Sequence, residues 1–231
     1  MVKAVCLLSG GMDSTTALAV ALVDNAPEDV LGLSFNYGQR HREQELGSAA
    51  DIAIFYDIHH EIVNLQSLTG LLGGSSLTDN SIAVPYGHYT AETMKITVVP
   101  NRNAIMLAIA FGVARAAQAR AVYIGAHAGD HAIYPDCRSA FMQAFQECMD
   151  RANDDLVENT RPILHTPFIN RSKGEIVTIG TAIDVPYHLT YSCYEGERLH
   201  CGQCGTCVER REAFELAGVL DPTDYAKVET V

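Results

Sequence analysis

Short apolar runs alternate with longer segments of helical periodicity over most of the chain. Four apolar runs are typical of buried strands, at residues 4–8, 30–35, 59–65 and 121–125. Helical patterns lie between and after them, at residues 15–23, 42–55, 104–119 and 139–151. Because strands and helices alternate, the pattern predicts an α/β fold with a doubly wound parallel sheet.

Two regions of the chain depart from this alternation. Residues 66–100 contain repeated glycine, serine and proline, and we expect a long loop there, either a functional lid or a poorly ordered segment. Residues 161–168 contain two prolines and favour an extended segment. A last helix is expected at residues 208–217.

Local signals mark the start of two helices. Ser172 and Glu175 have the spacing of a capping box, which predicts a helix that runs to about residue 182. Asn101 or Asn103 is a candidate N-cap for the helix at residues 104–119.

Composition and charge narrow the class of protein. With 48% hydrophobic residues among 231, the chain has enough apolar side chains for a sizeable core, and we expect a single domain over residues 1–231. No apolar run is long enough to span a bilayer, and the first residues resemble a strand rather than a signal peptide, so we expect a cytoplasmic protein. The net charge of −12, from 16 basic and 28 acidic residues, argues against direct binding of nucleic acid.

The first predicted strand ends in the hexapeptide Ser-Gly-Gly-Met-Asp-Ser, residues 9–14, and a helix follows. A strand, a glycine turn and a helix N-terminus together direct free backbone N–H groups at an anion. The hydroxyl groups add donors, and Asp13 fits beside a phosphate if Mg²⁺ or a charge-paired donor lies between them. The segment lacks both the Walker and the Gly-x-Gly-x-x-Gly patterns. A glycine turn that only joins a strand to a helix is the competing interpretation.

The hexapeptide resembles the pyrophosphate loop of the N-type ATP pyrophosphatases, the PP-loop superfamily. This resemblance implies that ATP is bound by the loop and its flanking residues, Leu8, Ser9, Gly10, Gly11, Met12, Asp13, Ser14, Thr15, Thr16, Ala17 and Leu18.

Two basic residues stand where the helix dipole disfavours a cation. Arg102 and Lys173 each lie near the start of a predicted helix. A phosphate or carboxylate in front of each would reverse that preference, so we predict that both stabilise an anion and, with Asp13, carry the catalysis. Ordinary solvated side chains remain the alternative.

Candidate substrate contacts lie after two predicted strands, where ligands bind in open parallel sheets. Tyr37 and Arg40 follow the second strand. After the fourth strand lie groups suited to hydrogen-bond a planar polar heterocycle: Asp130, Tyr134, Asp136 and Arg138.

Four cysteines cluster within a C-terminal segment of about residues 188–231. They are Cys193, Cys201, Cys204 and Cys207. Four thiolates with no open position predict one structural Zn²⁺ per chain. An iron–sulfur cluster and free thiols are the alternatives, and His200 could replace one ligand.

Several separated motifs together resemble the 7-cyano-7-deazaguanine (preQ0) synthases. They lie at residues 9–16, 37–41, 99–103, 134–138 and 172–176, and in the four cysteines. The resemblance implies a carbon–nitrogen ligase of queuosine biosynthesis that joins ammonia to 7-carboxy-7-deazaguanine. ATP would be cleaved to AMP and pyrophosphate, an acyl-adenylate would give an amide, and a second activation would give the nitrile. The resemblance also implies a homodimer.

Three positions depart from the family pattern. Met12, Asn36 and Asn101 stand where relatives have glutamine, aspartate and glycine. They leave open an enzyme of the same fold that stops at the amide. A tRNA-thiolating ATP pyrophosphatase and a non-catalytic nucleotide- or zinc-binding module are two further alternatives.

Overall fold

The computed structural model describes residues 1–88, 90–129, 134–153 and 161–227. Its centre is a five-stranded parallel sheet of order β3-β2-β1-β4-β5. The strands are β1 (Ala4–Leu7), β2 (Val30–Asn36), β3 (His59–Asn64), β4 (Ala121–Tyr123) and β5 (Ile163–His165). The four predicted strands are confirmed, and β5 lies inside the segment expected to be extended.

Seven α-helices surround the sheet in the described part of the chain. They are α1 (Met12–Asp24), α2 (Arg42–Phe55), α3 (Ala91–Ile96), α4 (Arg102–Ala116), α5 (Ser139–Ala152), α6 (Lys173–Ala182) and α7 (Gly205–Ala217). None of the helices described is both long and apolar enough to cross a bilayer.

Alternate residues of β1 enter two different cores. Ala4 and Cys6 pack with α1 and α2, whereas Val5 and Leu7 pack with α4 and α5. Successive side chains of a strand point to opposite faces, so helices cover both faces of the sheet. This arrangement confirms the doubly wound α/β prediction. Helices α6 and α7 then pack outside α1, through Val177 and Phe214.

The expectation of a long loop at residues 66–100 is wrong in part. Helix α3 lies within it, and a capping box between Thr90 and Thr93 begins this helix. Leu77 and Ser76 are fully buried, and the backbone N–H of Arg40 donates to the carbonyl of Leu77 at 2.8 Å. Parts of this segment, around residues 75–77 and at α3, therefore pack against the domain.

The predicted capping box of α6 is confirmed, and α4 has the predicted Asn101 at its N-cap, although without a side-chain hydrogen bond. Ser172 Oγ accepts from the backbone N–H of Glu175, and the Glu175 carboxylate accepts from the backbone N–H of Ser172. At α4 the N-cap is Asn101, which has φ +52° and makes no capping hydrogen bond. The backbone N–H of Asn103 donates instead to Asp136 Oδ2 at 3.0 Å.

The strand order places a crevice at the carboxyl ends of the central strands. Strand β1 pairs with β2 on one side and with β4 on the other. The strand order therefore reverses at β1: β2 and β3 lie on one side of it, and β4 and β5 on the other. In open parallel sheets, ligands bind at such a reversal.

Candidate active site

A cavity of about 240 Å³ lies at this reversal, above the ends of β1, β2 and β4. Apolar side chains at the strand ends and just after β4 line it, including Leu7, Leu33, Phe35 and Ile124. The predicted phosphate loop forms one wall, with Leu8, Ser9, Gly11, Met12, Asp13 and Ser14. Arg102, Lys173 and Tyr37 line the same cavity, so the fold brings together residues that are far apart in sequence.

The phosphate loop is held by its own hydroxyl groups. Ser14 Oγ accepts from the backbone N–H of Ser9 at 3.1 Å and lies 3.0 Å from Ser9 Oγ. Gly11 is the N-cap of α1 and has no side chain to make a capping hydrogen bond. The first N–H groups of α1 are therefore available to an oxygen-rich anion.

Two glycines allow the loop to pack closely against its neighbours. Gly10 has φ +79°, and a Cβ there would lie 2.5 Å from the carbonyl oxygen of Glu45. Gly125 follows β4, and a Cβ there would lie 2.8 Å from the backbone of Asp13. The sequence prediction included Gly10 but missed Gly125, whose role depends on the pairing of β1 with β4.

A histidine that sequence reasoning missed lies beside Asp13. The backbone N–H of Gly129 donates to His127 Nδ1 at 3.1 Å, which leaves the ring proton on Nε2. His127 Nε2 lies 3.7 Å from Asp13 Oδ2. Asp13 Oδ1 is buried and accepts no hydrogen bond from the residues that the structure describes. A buried carboxylate oxygen without a donor suits a cation, so Asp13 could hold Mg²⁺.

Arg102 lies at the start of α4 and faces aromatic hydroxyls in the cavity. Its guanidinium donates to the hydroxyl of Tyr37 at 3.5 Å. Burial lowers the pKa of Arg102, but the neighbouring Tyr37, Tyr194 and Tyr134 raise it well above its usual value. The side chain is therefore a fixed cation beside the phosphate loop.

Lys173 joins the cavity to the C-terminal helix. It lies in the first turn of α6, and its Nζ is 2.5 Å from Glu209 Oε2 on α7. Its side chain is 18% exposed. The contact fixes the direction of the lysine, because it cannot swing freely into solvent.

The predicted substrate contacts are only partly brought together. Tyr37 and Tyr134 line the cavity. Asp136 does not, because its carboxylate caps α4. Arg138 is exposed at the start of α5 and is likewise absent from the cavity lining. Asp130 lies outside the described residues.

Arg40 and the inner turn of α1 also differ from their predicted roles. The Arg40 guanidinium donates to the carbonyls of Asp79 and Ile82, at 3.1 and 2.9 Å, and so holds the following loop. The predicted nucleotide contacts deeper in α1 face the protein interior and do not line the cavity; they are Thr15, Thr16, Ala17 and Leu18.

Sequence reasoning missed a polar group opposite the phosphate loop. Glu45 and His41 line the cavity. Sequence analysis assigned Glu45 only to a helix and His41 only to the motif at residues 37–41. Burial raises the pKa of Glu45 to about 7 and lowers the pKa of His41 to about 3. A carboxylate on an amphipathic helix gives no local signal of such burial, because the cavity wall forms only in the fold.

The four predicted cysteines converge on one point. The Sγ atoms of Cys193, Cys201, Cys204 and Cys207 all lie within 4.8 Å of one another, so the group could hold a metal ion. His200 is not part of it, because its Nε2 accepts from the backbone N–H of Ser192 at 2.9 Å. Ser192 and Thr206 line the cavity, so the cysteine cluster supports one wall of the site.

Comparison with known proteins identifies the family. A model described as queuosine biosynthesis protein QueC matches residues 3–218. The chain belongs to the QueC family. A 7-cyano-7-deazaguanine synthase of Ruegeria pomeroyi is 51% identical over 228 residues, which cover 98% of this chain and 96% of that protein. Another, of Rhizobium meliloti, is 52% identical over 224 residues, which cover 96% of this chain and 92% of that relative.

The QueC chain also shares its fold with a solved structure of low sequence identity. It is an NMN synthetase from Francisella tularensis, with 16% identity and a TM-score of 0.50. The match covers 94% of this chain and 78% of that chain. The likeness concerns the fold alone.

Proposed function

We propose that this protein is a 7-cyano-7-deazaguanine synthase. It would convert 7-carboxy-7-deazaguanine and ammonia to the nitrile through an acyl-adenylate and an amide, with AMP and pyrophosphate released. The observation that carries the proposal is the convergence of the phosphate loop, Arg102 and Lys173 on one cavity. Family membership and relatives of that name, about half identical over nearly the whole chain, support it.

Adenylation accounts for the chemistry that the substrate requires. Conversion of a carboxylate to a nitrile removes two oxygens, and neither leaves unaided at neutral pH. The acid and the amide present an oxygen at the same place, so one phosphate loop can serve both activations. Negative charge accumulates on the α-phosphate as it is attacked, and fixed cations stabilise that charge.

The charged residues of the cavity then have distinct roles. Arg102 and Lys173 would stabilise the attacked α-phosphate, because each is a cation held in place by protein contacts. Asp13 would hold Mg²⁺, which neutralises charge on the pyrophosphate. His127 would keep the Asp13 carboxylate turned toward the loop.

The cysteine cluster is best suited to structural zinc. Tetrahedral coordination at Zn–S distances of about 2.3 Å places the sulfurs about 3.8 Å apart. Cys201 Sγ lies 3.9 Å from Cys207 Sγ, and Cys204 Sγ lies 4.0 Å from Cys193 Sγ. An iron–sulfur cluster would separate its four thiolates further, because iron and sulfide lie between them.

The assembly and location of the protein belong to the same proposal. We infer a homodimer and a cytoplasmic enzyme of small-molecule substrates from the family resemblance. Sedimentation of the purified protein would test the dimer.

The direct test is the reaction. The protein is incubated with ATP, ammonium and 7-carboxy-7-deazaguanine, and AMP, amide and nitrile are followed by mass. We expect all three, with added amide also converted to nitrile when ATP is present. A reaction that stops at the amide would make the protein a carboxamide synthase, and absence of AMP would refute the proposal.

Lys173→Ala tests the electrostatic role. The variant should bind ATP but lose about 10²–10³-fold in turnover, because a fixed cation at the α-phosphate is removed. Lys95→Ala, on the exposed face of α3, is the matched control and should turn over normally. Equal turnover of the Lys173 variant and the wild type would contradict this assignment.

A further inference from the structure

Glu45 is a cavity carboxylate with no part in the adenylation chemistry above. It lies in the first turn of α2, and 16% of its side chain is exposed. Asp13 and Glu45 are the two carboxylates among the described residues that line the cavity. Because Asp13 belongs to the phosphate loop, Glu45 is the carboxylate left to act on the other reactants.

Gln39 fixes one oxygen of this carboxylate and leaves the other accessible. The Gln39 side chain is fully buried; its Oε1 accepts from the N–H of Tyr37, and its Nε2 donates to the carbonyl of Phe35, both at 3.0 Å. These bonds decide which end of the amide faces Glu45, and Nε2 donates to Glu45 Oε2 at 2.6 Å. Glu45 Oε1 accepts no hydrogen bond from the described residues, and the exposed 16% of the side chain leaves it open to a small ligand.

The surroundings hold Glu45 near the middle of its titration. Burial raises its pKa to about 7, while the hydrogen bond from Gln39 and the charge of Arg102 act against this rise. His41 Nε2 lies 3.7 Å from Glu45 Oε2, and its own pKa of about 3 leaves it neutral. A group that titrates near neutral pH can both accept and release a proton during turnover.

The proposed reaction needs such a group for its nitrogen donor. Ammonia, like other amines, is protonated at neutral pH. The ammonium ion has no lone pair and cannot attack a carbonyl carbon. The enzyme must therefore attract a small cation into the cavity and remove one proton from it there.

We propose that Glu45 is the catalytic base that binds ammonium and takes one of its protons. This inference rests on the proposed function. The proton passes to Glu45 Oε1, and the N–H electron pair stays on nitrogen. That pair forms the C–N bond to the acyl-adenylate carbonyl, the C–O bond to the phosphate breaks, and AMP leaves with its electrons. A second proton is lost from nitrogen, so ammonium and acyl-adenylate give amide, AMP and two protons.

Isotope exchange separates this step from the one before it. Exchange of labelled pyrophosphate into ATP needs the acid substrate but no ammonia. Glu45→Gln should keep this exchange within about twofold and lose about 10²-fold or more in kcat/KM for ammonium. The amide side chain preserves the shape of the glutamate and a hydrogen bond from Gln39.

A neutral nucleophile provides the second arm of the test. Hydroxylamine is mostly unprotonated near neutral pH, so it requires neither a cation site nor a base. We expect Glu45→Gln and wild type to form the hydroxamate at similar rates. Glu43→Gln, an exposed carboxylate of the same helix with 82% of its side chain exposed, is the matched control and should resemble the wild type throughout.

Three results would overturn the inference. If Glu45→Gln loses pyrophosphate exchange as strongly as amide formation, Glu45 binds the acid substrate or the nucleotide. Unchanged use of ammonium would show that it has no part in catalysis. An equal loss with hydroxylamine would show a role in shape alone. If the wild type itself makes neither amide nor nitrile, the proposed function has failed instead. Pyrophosphate exchange by the wild type without either product identifies that case.

Discussion

At the scale of single residues, an ionised carboxylate in the cavity lowers the stability of the folded protein. Glu45 has a pKa of about 7 in the folded protein against an ordinary value of 4.5. The Glu45 carboxylate therefore binds its proton more tightly in the folded protein than in the unfolded chain. The contribution of this residue to stability is greatest below about pH 4.5 and falls as the pH rises to 7.

Removal of this titration should change the pH dependence of stability. Glu45→Gln cannot ionise, so its free energy of unfolding relative to the wild type should increase between about pH 5 and pH 8. Urea unfolding at the two pH values measures the change, and other ionisable groups cancel because both proteins share them. If the free energies of unfolding of the variant and the wild type differ by the same amount at both pH values, the raised pKa of Glu45 is contradicted.

Asn101 explains one departure from the family pattern. Its φ of +52° lies in the left-handed region, which glycine and asparagine tolerate better than other residues. Asparagine can therefore stand where the family resemblance implies glycine without a change in the turn that precedes Arg102.

The two substitutions at this position should have different effects. Asn101→Ala should lower the free energy of unfolding by about 1 kcal/mol, because the left-handed conformation is strained for alanine. Asn101→Gly should differ little from the wild type, since the strain that is relieved is offset by a more flexible unfolded chain. Thermal unfolding of both variants tests this, and equal losses would argue against backbone strain.

At the scale of elements, a buried guanidinium adds a polar anchor for α7 to its apolar packing and to the Lys173–Glu209 pair. Arg210 is fully buried; it donates to Asp221 at 3.1 Å, to Thr190 Oγ1 at 2.7 Å and to the carbonyl of Tyr187 at 3.1 Å. These contacts join α7 to the segment before Cys193 and to the segment that follows the helix. Sequence periodicity gave no sign of this role, because an arginine in a helix is usually solvated.

Loss of this arginine should be strongly destabilising. Arg210→Ala should lower the free energy of unfolding by about 3–5 kcal/mol, because Asp221 keeps a charge without its partner. Denaturant unfolding is the measurement, and Arg198→Ala, at an exposed position, should change stability by less than about 0.5 kcal/mol. A small effect at both positions would show that α7 is held in another way.

At the scale of the whole molecule, the cysteine cluster and the cavity form one unit. Thr206 lies between two of the cysteines and lines the cavity, and so does Ser192 beside Cys193. Helix α7, which begins inside the cluster, supplies the partner of Lys173. Disorder of the cluster would therefore disturb both a wall and a cation of the site.

Metal removal should affect stability and turnover together. A metal that binds only the folded state stabilises it, so chelation should lower the melting temperature and reduce AMP formation. We expect one zinc per chain and no visible absorption; a brown protein that contains iron would refute zinc. Cys148→Ser is the control, because this exposed cysteine lies outside the cluster and its loss should change neither property.

The amino-acid sequence by itself determined the features that arise within a few residues. Apolar runs and helical periodicity predicted strands β1 to β4 and most of the helices. The spacing of Ser172 and Glu175 predicted a cap, and the spacing of the cysteines predicted a cluster. These signals are local, because a strand face, a helix end or a metal ligand set is specified by neighbouring positions.

Only the tertiary structure decided which polar groups share the cavity. Asp136 and Glu45 are both acids near predicted strand ends, yet one caps α4 and the other lines the cavity. Gly125 and His127 gained their contacts with Asp13 because β4 pairs with β1, more than a hundred residues earlier in the chain. The strand order sets these meetings, and no local pattern encodes it, since strand pairing is a property of the whole sheet.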